Sequence, residues 1–449
     1  MKKLLTLISA GVLFSGCGEA LGPNYTKPLN TEKIDSQIIT NNEINTTMVA
    51  WWKEYNNNDL NSLIENAFNS NKDASILTKQ LELVLNAAEI SRLSFNPTGS
   101  ISETITKSNN AGTISTSHTL GVRLSEFEFD YLGKFQKTVE INNALISTAK
   151  ENLALFYSTL SFEIASVYSN IIYYDQKLEI QKNKLLLLKN MESIRKERFH
   201  NGIDDKSALI DIQSKITEEE QNQNSTEAAR DNYLKTLKIL IGEEKRFTFD
   251  AKINPTGIAK QINSKQLENR FDIKIAEQNL INKNARISIV KTLYYPSLSV
   301  NAFAGLNGSD GTAFTSMNQS FSITPSIMWN IFDIPKIGKL VKESEIQKEQ
   351  ALETYIKTVR NAFIEVKSNY DVYEKSKINL NYSKSYVNLF DNKLSILNAK
   401  FDTGMINKIQ LLDAKYSYLD AQDALNSNNN NLFQQEIILK KSIGGKVKE

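Results

Sequence analysis

The chain has 449 residues, of which 53 are Lys or Arg and 51 are Asp or Glu, so its formal net charge at pH 7 is +2. Because nucleic-acid-binding proteins normally carry a clear basic excess, this balance disfavours that class, and we expect no nucleic-acid partner. A single cysteine excludes an intrachain disulfide framework. Only 18 glycines and 7 prolines are present, where average usage gives roughly 30 and 20, and this scarcity of helix breakers predicts long helices.

The first residues have the layout of an exported, lipid-modified precursor. Two lysines precede an apolar stretch over residues 4–14, which is too short to span a bilayer, and small residues then lead to Cys17. We therefore predict a signal peptide over residues 1–16, acylation of Cys17 in the lipobox-like sequence "LFSGC", and an extended, lipid-anchored segment over residues 17–58. Two alternatives stay open, a retained N-terminal helix and a surplus free cysteine. Removal of residues 1–16 would leave 51 basic and 51 acidic residues.

One long pattern occurs twice in the chain. The sequence "FHNGIDDKSALID" at residues 199–211 returns as "FDTGMINKIQLLD" at residues 401–413, and the positions around both copies also correspond. The two copies lie 202 residues apart, which is far longer than the roughly 20–50 residues of a solenoid repeat. We therefore predict two tandem structural repeats. Their predicted limits are a first repeat over 59–242, a linker over 243–263, a second repeat over 264–444 and a tail over 445–449.

Each repeat begins with a helical stretch that ends at a proline, after which the periodicity becomes that of strands. Phe321, Ile323 and Ile327 alternate with Ser and Thr, and turn-forming residues divide each such region in two. We predict β-hairpins over about 97–130 and about 296–333, with about ten residues per strand. Strands that are apolar on one side suit a membrane β-barrel, and a small soluble sheet beside helices is the alternative.

Long helical patterns follow each predicted hairpin. No proline or glycine interrupts residues 134–200, so a helix there would be on the order of 100 Å long. Its apolar residues recur every three or four positions, which predicts coiled-coil packing against neighbours of similar length, from this chain and from others. Glycine commonly ends helices, so Gly202 and Gly404 should close the long helices, and Gly242 and Gly444 the helices that return from them.

The order of these features resembles that of TolC-type outer-membrane factors, in particular the lipoprotein branch that contains OprM and the NodT-like proteins. The resemblance covers nearly the whole chain and rests on "LGPNYTKP" at 21–28, "WWKEYNNNDLNSLIENAFNSNKD" at 51–73, "YLGK" at 131–134, "YYPSLSV" at 294–300 and both copies of the repeated sequence. It implies a mainly α fold with a membrane β-barrel part. Four strands per chain would contribute to a trimeric, twelve-stranded outer-membrane barrel, continued by a long periplasmic α-helical barrel of coiled hairpins.

The same resemblance implies partners and site residues. A homotrimer embedded in outer-membrane lipid would meet a periplasmic adaptor (membrane fusion) protein and an inner-membrane pump. The adaptor contact would lie at the hairpin tips, which contain Phe199, Gly202, Ile203, Phe401, Gly404 and Met405.

A pore constriction of acidic side chains is implied at the start of the last helix, at positions 410 and 413. Gln410 departs from that pattern, so Asp413 alone would form the negative ring. An acid near a helix start is also favoured by the helix dipole, which is the alternative reading of Asp413. Asp204, Asp205 and Asp211 are candidate links between hairpins, or else members of a solvated acidic tip.

Enzyme chemistry finds little support. The two histidines, His118 and His200, have no nearby cysteine or serine pattern of a catalytic set, and no zinc cluster or phosphate-binding loop is present. We therefore expect no catalytic residues, metal or cofactor. The leading functional prediction is the outer-membrane channel of a tripartite efflux system for drugs or metals. The alternatives are the duct of a protein-secretion system and a non-conducting, lipid-anchored coiled-coil scaffold.

Overall fold

The computed structural model describes residues 20–28, 50–242, 255–258, 267–309 and 318–444. The predicted signal peptide, Cys17, most of the linker and the tail lie outside these residues. A short 3-10 turn, Trp51–Tyr55, precedes the regular elements, and a second one, Ile331–Asp333, follows the last strand. The helices and strands are α1 (Asn58–Ser70), α2 (Lys72–Leu93), β1 (Thr98–Asn110), β2 (Thr113–Glu128), α3 (Lys134–His200), α4 (Lys206–Ile241), α5 (Phe271–Thr292), β3 (Ser297–Ser309), β4 (Asn318–Met328), α6 (Ile334–Asp402) and α7 (Lys408–Ile443).

The predicted order of elements is confirmed in both repeats: a helix, a β-hairpin and then two long helices. The outgoing helices α3 and α6 have 67 and 69 residues, and the returning helices α4 and α7 have 36 each. Both returning helices end at a glycine in the left-handed region, Gly242 at φ 75° and Gly444 at φ 95°. The glycines therefore did predict where the returning helices end, whereas α6 runs through Pro335 and Gly338 near its start.

The four strands form one antiparallel sheet in the order β1-β2-β3-β4, so the hairpins of the two repeats lie side by side. The strands have 13, 16, 13 and 11 residues, longer than the ten that were predicted. Pairing continues into their Ser- and Thr-rich ends because backbone hydrogen bonds do not require the apolar alternation on which the prediction relied. A bulge between Leu124 and Phe127 interrupts the β2–β3 register, and there the Glu126 amide donates to Asn301 Oδ1 at 2.8 Å.

The structure divides into two compact units, and each unit takes segments from both predicted repeats. Of the described residues, the first unit contains 20–28, Lys79–Glu151 and those within Lys274–Lys357, and therefore the whole sheet. The second contains the described residues within Thr31–Thr78, Asn152–Ile273 and Thr358–Glu449. The predicted repeats are thus a division of the sequence and not of the folded chain, and their exact limits stay a prediction.

In the first unit, residues 20–28 pack along α5. The Tyr25 hydroxyl donates to Glu277 Oε1 at 3.0 Å, and Asn284 Nδ2 donates to the Pro23 carbonyl at 2.9 Å. Gly22 has φ 113°, and a Cβ there would lie 2.4 Å from Ser288 Oγ, so only glycine fits. These contacts explain the "LGPNYTKP" sequence as a segment that packs along α5.

The core of the second unit is built around the "WW" sequence. Trp51 is 1% exposed and stacks on Phe162 with ring centroids 4.1 Å apart, while its indole N–H donates to Ser161 Oγ at 3.0 Å. Leucine and isoleucine side chains of α1, α3 and α4, together with Phe433 of α7, complete this cluster. The sequence therefore buries an aromatic pair where helices from both repeats meet.

Beside this core lies a buried ion pair of α7, Glu436 and Lys440, whose charged atoms are 3.2 Å apart. The Glu436 carboxylate also accepts hydrogen bonds from the Tyr55 hydroxyl at 2.8 Å and from the backbone amides of Thr256 and Gly257, both at 3.1 Å. Burial and the Glu436 charge raise the pKa of Tyr55 well above its ordinary value, so Tyr55 remains a donor. Through these bonds Glu436 holds residues 255–258 in place. Within the described ranges, no helix is long and apolar enough to cross a membrane.

Candidate functional site

The predicted functional residues described by the structure lie at or just beyond the turns at the ends of the long helical hairpins, and the sheet is a second candidate region. We name the turn over residues 199–205 tip 1 and the turn over residues 401–407 tip 2. Both have the same backbone. Gly202 and Gly404 lie at φ 69° and 74°. The backbone amide of the next residue donates back across the turn, that of Ile203 to the Arg198 carbonyl and that of Met405 to the Lys400 carbonyl, both at 2.8 Å. This is the Schellman arrangement, in which glycine supplies the left-handed position that ends a helix.

Both tips expose apolar side chains. Ile203 is 62% exposed, Met405 is 72% exposed and Phe199 is 42% exposed, whereas Phe401 is half-buried. In a Schellman turn the residue after the glycine often packs on the helix, but here the helix position it would meet is Arg198 or Lys400. The apolar side chains are therefore left facing solvent at both tips.

Tip 1 is held by an arginine clamp that the sequence analysis did not identify. Asp204 accepts from Arg195 at 2.8 Å and from two nitrogens of Arg198, each at 3.0 Å. The guanidinium groups of Arg198 and Arg195 hold the pKa of Asp204 at about 2, below its ordinary value of 3.8. The signal was present in the sequence, since two arginines three positions apart precede the predicted turn by one helical turn.

The acidic residues of tip 1 therefore differ in role. The Asp204 side chain is only 9% exposed, so the reading of a solvated acidic tip is wrong for this residue. Asp205 caps α4, because its side chain accepts from the Ala208 amide at 3.1 Å. Asp211 is exposed one turn further along α4. The bonds seen for Asp204 and Asp205 lie within one hairpin, and links from these three residues to another hairpin stay a prediction.

Tip 2 is built differently. Asn407 and Gln410 form a capping box, in which the Gln410 amide donates to Asn407 Oδ1 at 2.9 Å and the Asn407 amide donates to Gln410 Oε1 at 3.0 Å. Gln410, predicted at a pore constriction, thus has its side-chain oxygen engaged by its own helix end. The ammonium group of Lys408 lies 5.0 Å from the centroid of the Phe401 ring.

Asp413 is exposed on the first turns of α7. Among the described residues no cation lies within ion-pair distance of its carboxylate. Because Asn407 already supplies the cap, Asp413 is not needed for that purpose. Its free carboxylate is the feature that a negative pore ring would require, and that role stays a prediction.

The sheet sorts its side chains into two chemically different faces. The apolar face carries cross-strand rows such as Ile101, Val122, Ala304 and Phe321, and Ile101 and Phe321 are 80% and 84% exposed. The opposite face is hydroxyl-rich. It presents Ser100, Ser102, Thr104 and Thr106 from β1, Ser115, Ser117 and Thr119 from β2, Ser299, Asn301 and Asn307 from β3, and Ser320, Ser322, Thr324 and Ser326 from β4. We name these the apolar face and the polar face.

His118 lies on the apolar face of β2, and His200 is the last residue of α3. In the described part of the chain no group of three His, Cys, Asp or Glu side chains is placed to hold a metal ion.

Known proteins of similar sequence and fold agree with this architecture. Residues 263–445 match the sequence model described as outer membrane efflux protein. The cation efflux system protein CusC of Escherichia coli (strain K12) is 22% identical over 465 residues, covering 99% of each chain. The toxin and drug export protein A of Aggregatibacter actinomycetemcomitans is 22% identical over 455 residues, covering 95% of this chain and 97% of that protein.

Solved structures show the same fold. The open-state MtrE outer membrane channel of Neisseria gonorrhoeae superimposes with a TM-score of 0.82 at 18% identity, over 96% of this chain and 99% of that one. The CmeC outer membrane channel of Campylobacter jejuni gives a TM-score of 0.79 at 20% identity, over 96% of both chains. The fold is therefore TolC-like, with two tandem repeats. The second half of the chain is thus similar in sequence to outer membrane efflux proteins, and the fold as a whole is that of outer-membrane channels.

Proposed function

We propose that this protein is the outer-membrane channel of a tripartite efflux system, conducting small molecules such as drugs or metal ions out of the periplasm. The observation that carries the proposal is the sheet with one exposed apolar face and one hydroxyl-rich face. Such a sheet is stable where one side meets lipid and the other meets water. The relatives' names, which include cation efflux and drug export, support the same function.

The proposal requires more than one copy of the chain. In the described sheet β1 and β4 each pair on one side only, and an unpaired edge is unfavourable in lipid because its backbone groups lack partners. Three copies joined β1 to β4 would close a twelve-stranded barrel. Exposed apolar residues on the helices, such as Leu83 of α2 at 62% and Ile364 of α6 at 68%, are consistent with burial against neighbouring copies.

The exposed tips are the proposed docking surface for a periplasmic adaptor and, through it, an inner-membrane pump. Phe199, Ile203 and Met405 present apolar surface at the ends of the long helical hairpins, where a partner would cover it. We place the protein in the outer membrane with Cys17 acylated, and we infer transport without catalysis. Asp413 from three copies would form the negative ring at the periplasmic end.

Planar-bilayer recording of the membrane-extracted protein tests the proposal. The matched pair of variants is Asp413→Ala and Asp211→Ala, which alter equivalent positions of the two repeats. Stepwise currents from a trimer are expected, and they should become larger or less cation-selective in Asp413→Ala only. Currents that Asp413→Ala leaves unchanged would keep the channel and discard the ring. A folded trimer that carries no current and restores no drug efflux in cells would favour the scaffold alternative.

The alternative of a protein-secretion duct keeps one supporting observation, since one relative is named for toxin as well as drug export. Complementation of a cell that lacks its own channel separates the two, because an efflux channel restores resistance to small molecules without restoring secretion of a protein.

A further inference from the structure

The polar face of the sheet carries an unpaired positive charge at Arg123. Among the described strand residues, two other charged side chains lie on this face, both near the end of β2. Glu128 is paired with Lys134 at 3.1 Å, and Glu126 lies in the bulge. Arg123 lies two to three residues before the bulge, opposite Ser100 on β1 and Phe303 on β3. It is exposed, and no carboxylate in the described part of the chain lies within ion-pair distance.

A seat for this arginine is built into the sheet. Gly121 and Gly305 are directly opposed on β2 and β3, and the Phe303 ring covers both. A Cβ at Gly121 would lie 2.6 Å from the ring, and one at Gly305 would lie 2.7 Å from it and 2.2 Å from the Leu120 carbonyl. The two glycines therefore leave the space that the ring occupies, an arrangement that stabilises glycine in strands.

The guanidinium of Arg123 lies over this ring, with Cζ 5.8 Å from the centroid, within the distance at which cation–π attraction operates. An arginine held by an aromatic face keeps its N–H donors available, whereas one held by a carboxylate does not. The arrangement thus fixes the charge in position and leaves it free to bind an anion.

We propose that Arg123, seated on Phe303, is an anion-recognising element of the channel interior that raises the passage of anionic solutes relative to cations. The proposal rests on the proposed function, since it requires the polar face to line a water-filled channel. Three copies would then place three guanidinium groups at one level of the pore. Carboxylate, sulfonate or phosphate groups are the ligands that fit these donors, and an aromatic anion would also contact Phe303.

Ion selectivity of single channels under a KCl gradient tests this proposal. Arg123→Gln should lower the chloride-to-potassium permeability ratio about threefold at 0.1 M salt, and by less at 1 M, because salt screens the ring. Lys107→Gln is the matched control: it removes one positive charge from the same sheet, but from the apolar face, and should leave the ratio unchanged. Phe303→Leu should lower the ratio part of the way. An unchanged ratio in Arg123→Gln would overturn the proposal.

A second measurement tests the role of Arg123 without relying on current. A trimer that carries no current would count against the channel itself, and this measurement would still report on Arg123. Ser100→Cys places a thiol directly across from Arg123 on the polar face. Its rates of modification by sulfonate and by trimethylammonium thiosulfonate reagents, read by mass spectrometry on that peptide, report the local potential. The anionic-to-cationic rate ratio should fall several-fold when Arg123→Gln is added and remain constant with Lys107→Gln. A constant ratio in both would refute the role of Arg123.

Discussion

The substitution Glu436→Gln tests what holds the second unit together. Glu436 is fully buried and is the shared acceptor for Tyr55, Thr256, Gly257 and the ammonium group of Lys440. Glutamine has nearly the same shape, but it replaces one acceptor oxygen by a donor and removes the negative charge. One amide N–H would then face an existing donor, and Lys440, only 1% exposed, would lose its buried counter-charge.

The expected cost is about 3 kcal/mol, the lower end of the range for breaking one side of a buried ion pair. The lower end applies because Lys440 keeps a second carboxylate, that of Glu54 at 3.0 Å, which is about half exposed. A cost of this size corresponds to roughly a hundredfold increase in the opening equilibrium of the surrounding backbone.

Hydrogen–deuterium exchange with mass spectrometry measures this opening locally, in peptides that contain residues 255–258 and residues 432–440. Exchange there should accelerate by about two orders of magnitude in Glu436→Gln. The control is Glu374→Gln on α6, which removes a surface pair with Lys377 at 3.2 Å whose side chains are 39% and 46% exposed. That change should alter exchange by less than about threefold, because exposed pairs contribute roughly 0–1 kcal/mol.

A coupled buried pair should also show non-additive costs. Lys440→Met alone leaves Glu436 buried without its cation, whereas the double variant Glu436→Gln/Lys440→Met removes both charges. The double variant should therefore cost about 1–3 kcal/mol less than the sum of the two single variants. Additive costs, or exchange in Glu436→Gln equal to that of the control, would refute the account of a coupled buried pair.

Three further predictions concern single positions. Asp204→Asn should loosen tip 1. Because the pKa of Asp204 is lowered to about 2, the wild-type clamp should be intact above pH 4 and lost as the pH falls toward 2, so pepsin should cut wild-type tip 1 only in that lower range and cut the variant throughout. Gly404→Ala should destabilise tip 2 by about 1–2 kcal/mol, measured by hydrogen exchange, because an alanine at φ 74° is strained. No neighbouring atom would contact the new Cβ, so this cost reflects the backbone conformation alone. Trp51→Phe should cost about 1–3 kcal/mol in denaturant unfolding through the hydrogen bond lost by Ser161, and Trp51→Ala about 3–5 kcal/mol because it also removes the ring; equal costs would contradict the separate contribution of ring packing.

Local sequence signals predicted most of the secondary structure. Gly202 and Gly404 are required by the φ that ends a helix, and the alternation around Phe321 follows from the two faces of a strand, so neither depends on distant residues. Gln410 shows the limit of a family pattern. Its position suggested a pore, while its spacing from Asn407 is that of a capping box, a local signal that the sequence already contained.

The rest depended on contacts between residues far apart in the chain. Nothing near Glu436 indicates that its carboxylate accepts from the amides of Thr256 and Gly257, some 180 residues earlier. Likewise, the seat of Arg123 requires the pairing of β2 with β3, which joins the hairpins of the two repeats. The polar face and the place of Arg123 on it follow from alternation, but the row that Arg123 shares with Phe303 does not, because it depends on the β2–β3 register.

The buried bonds of α7 also bear on the order in which the chain can fold. Tyr55 and Glu436 are separated by 381 residues, and the aromatic core around Trp51 includes Phe433. Contacts of such long range form slowly, and the surfaces they cover stay exposed until then. The aromatic residues Trp51 and Tyr55 therefore lack their complete packing surface until almost the entire polypeptide has been synthesised. During that interval the chain needs protection from aggregation, and a truncation that removes α7 should leave the earlier segments without their core.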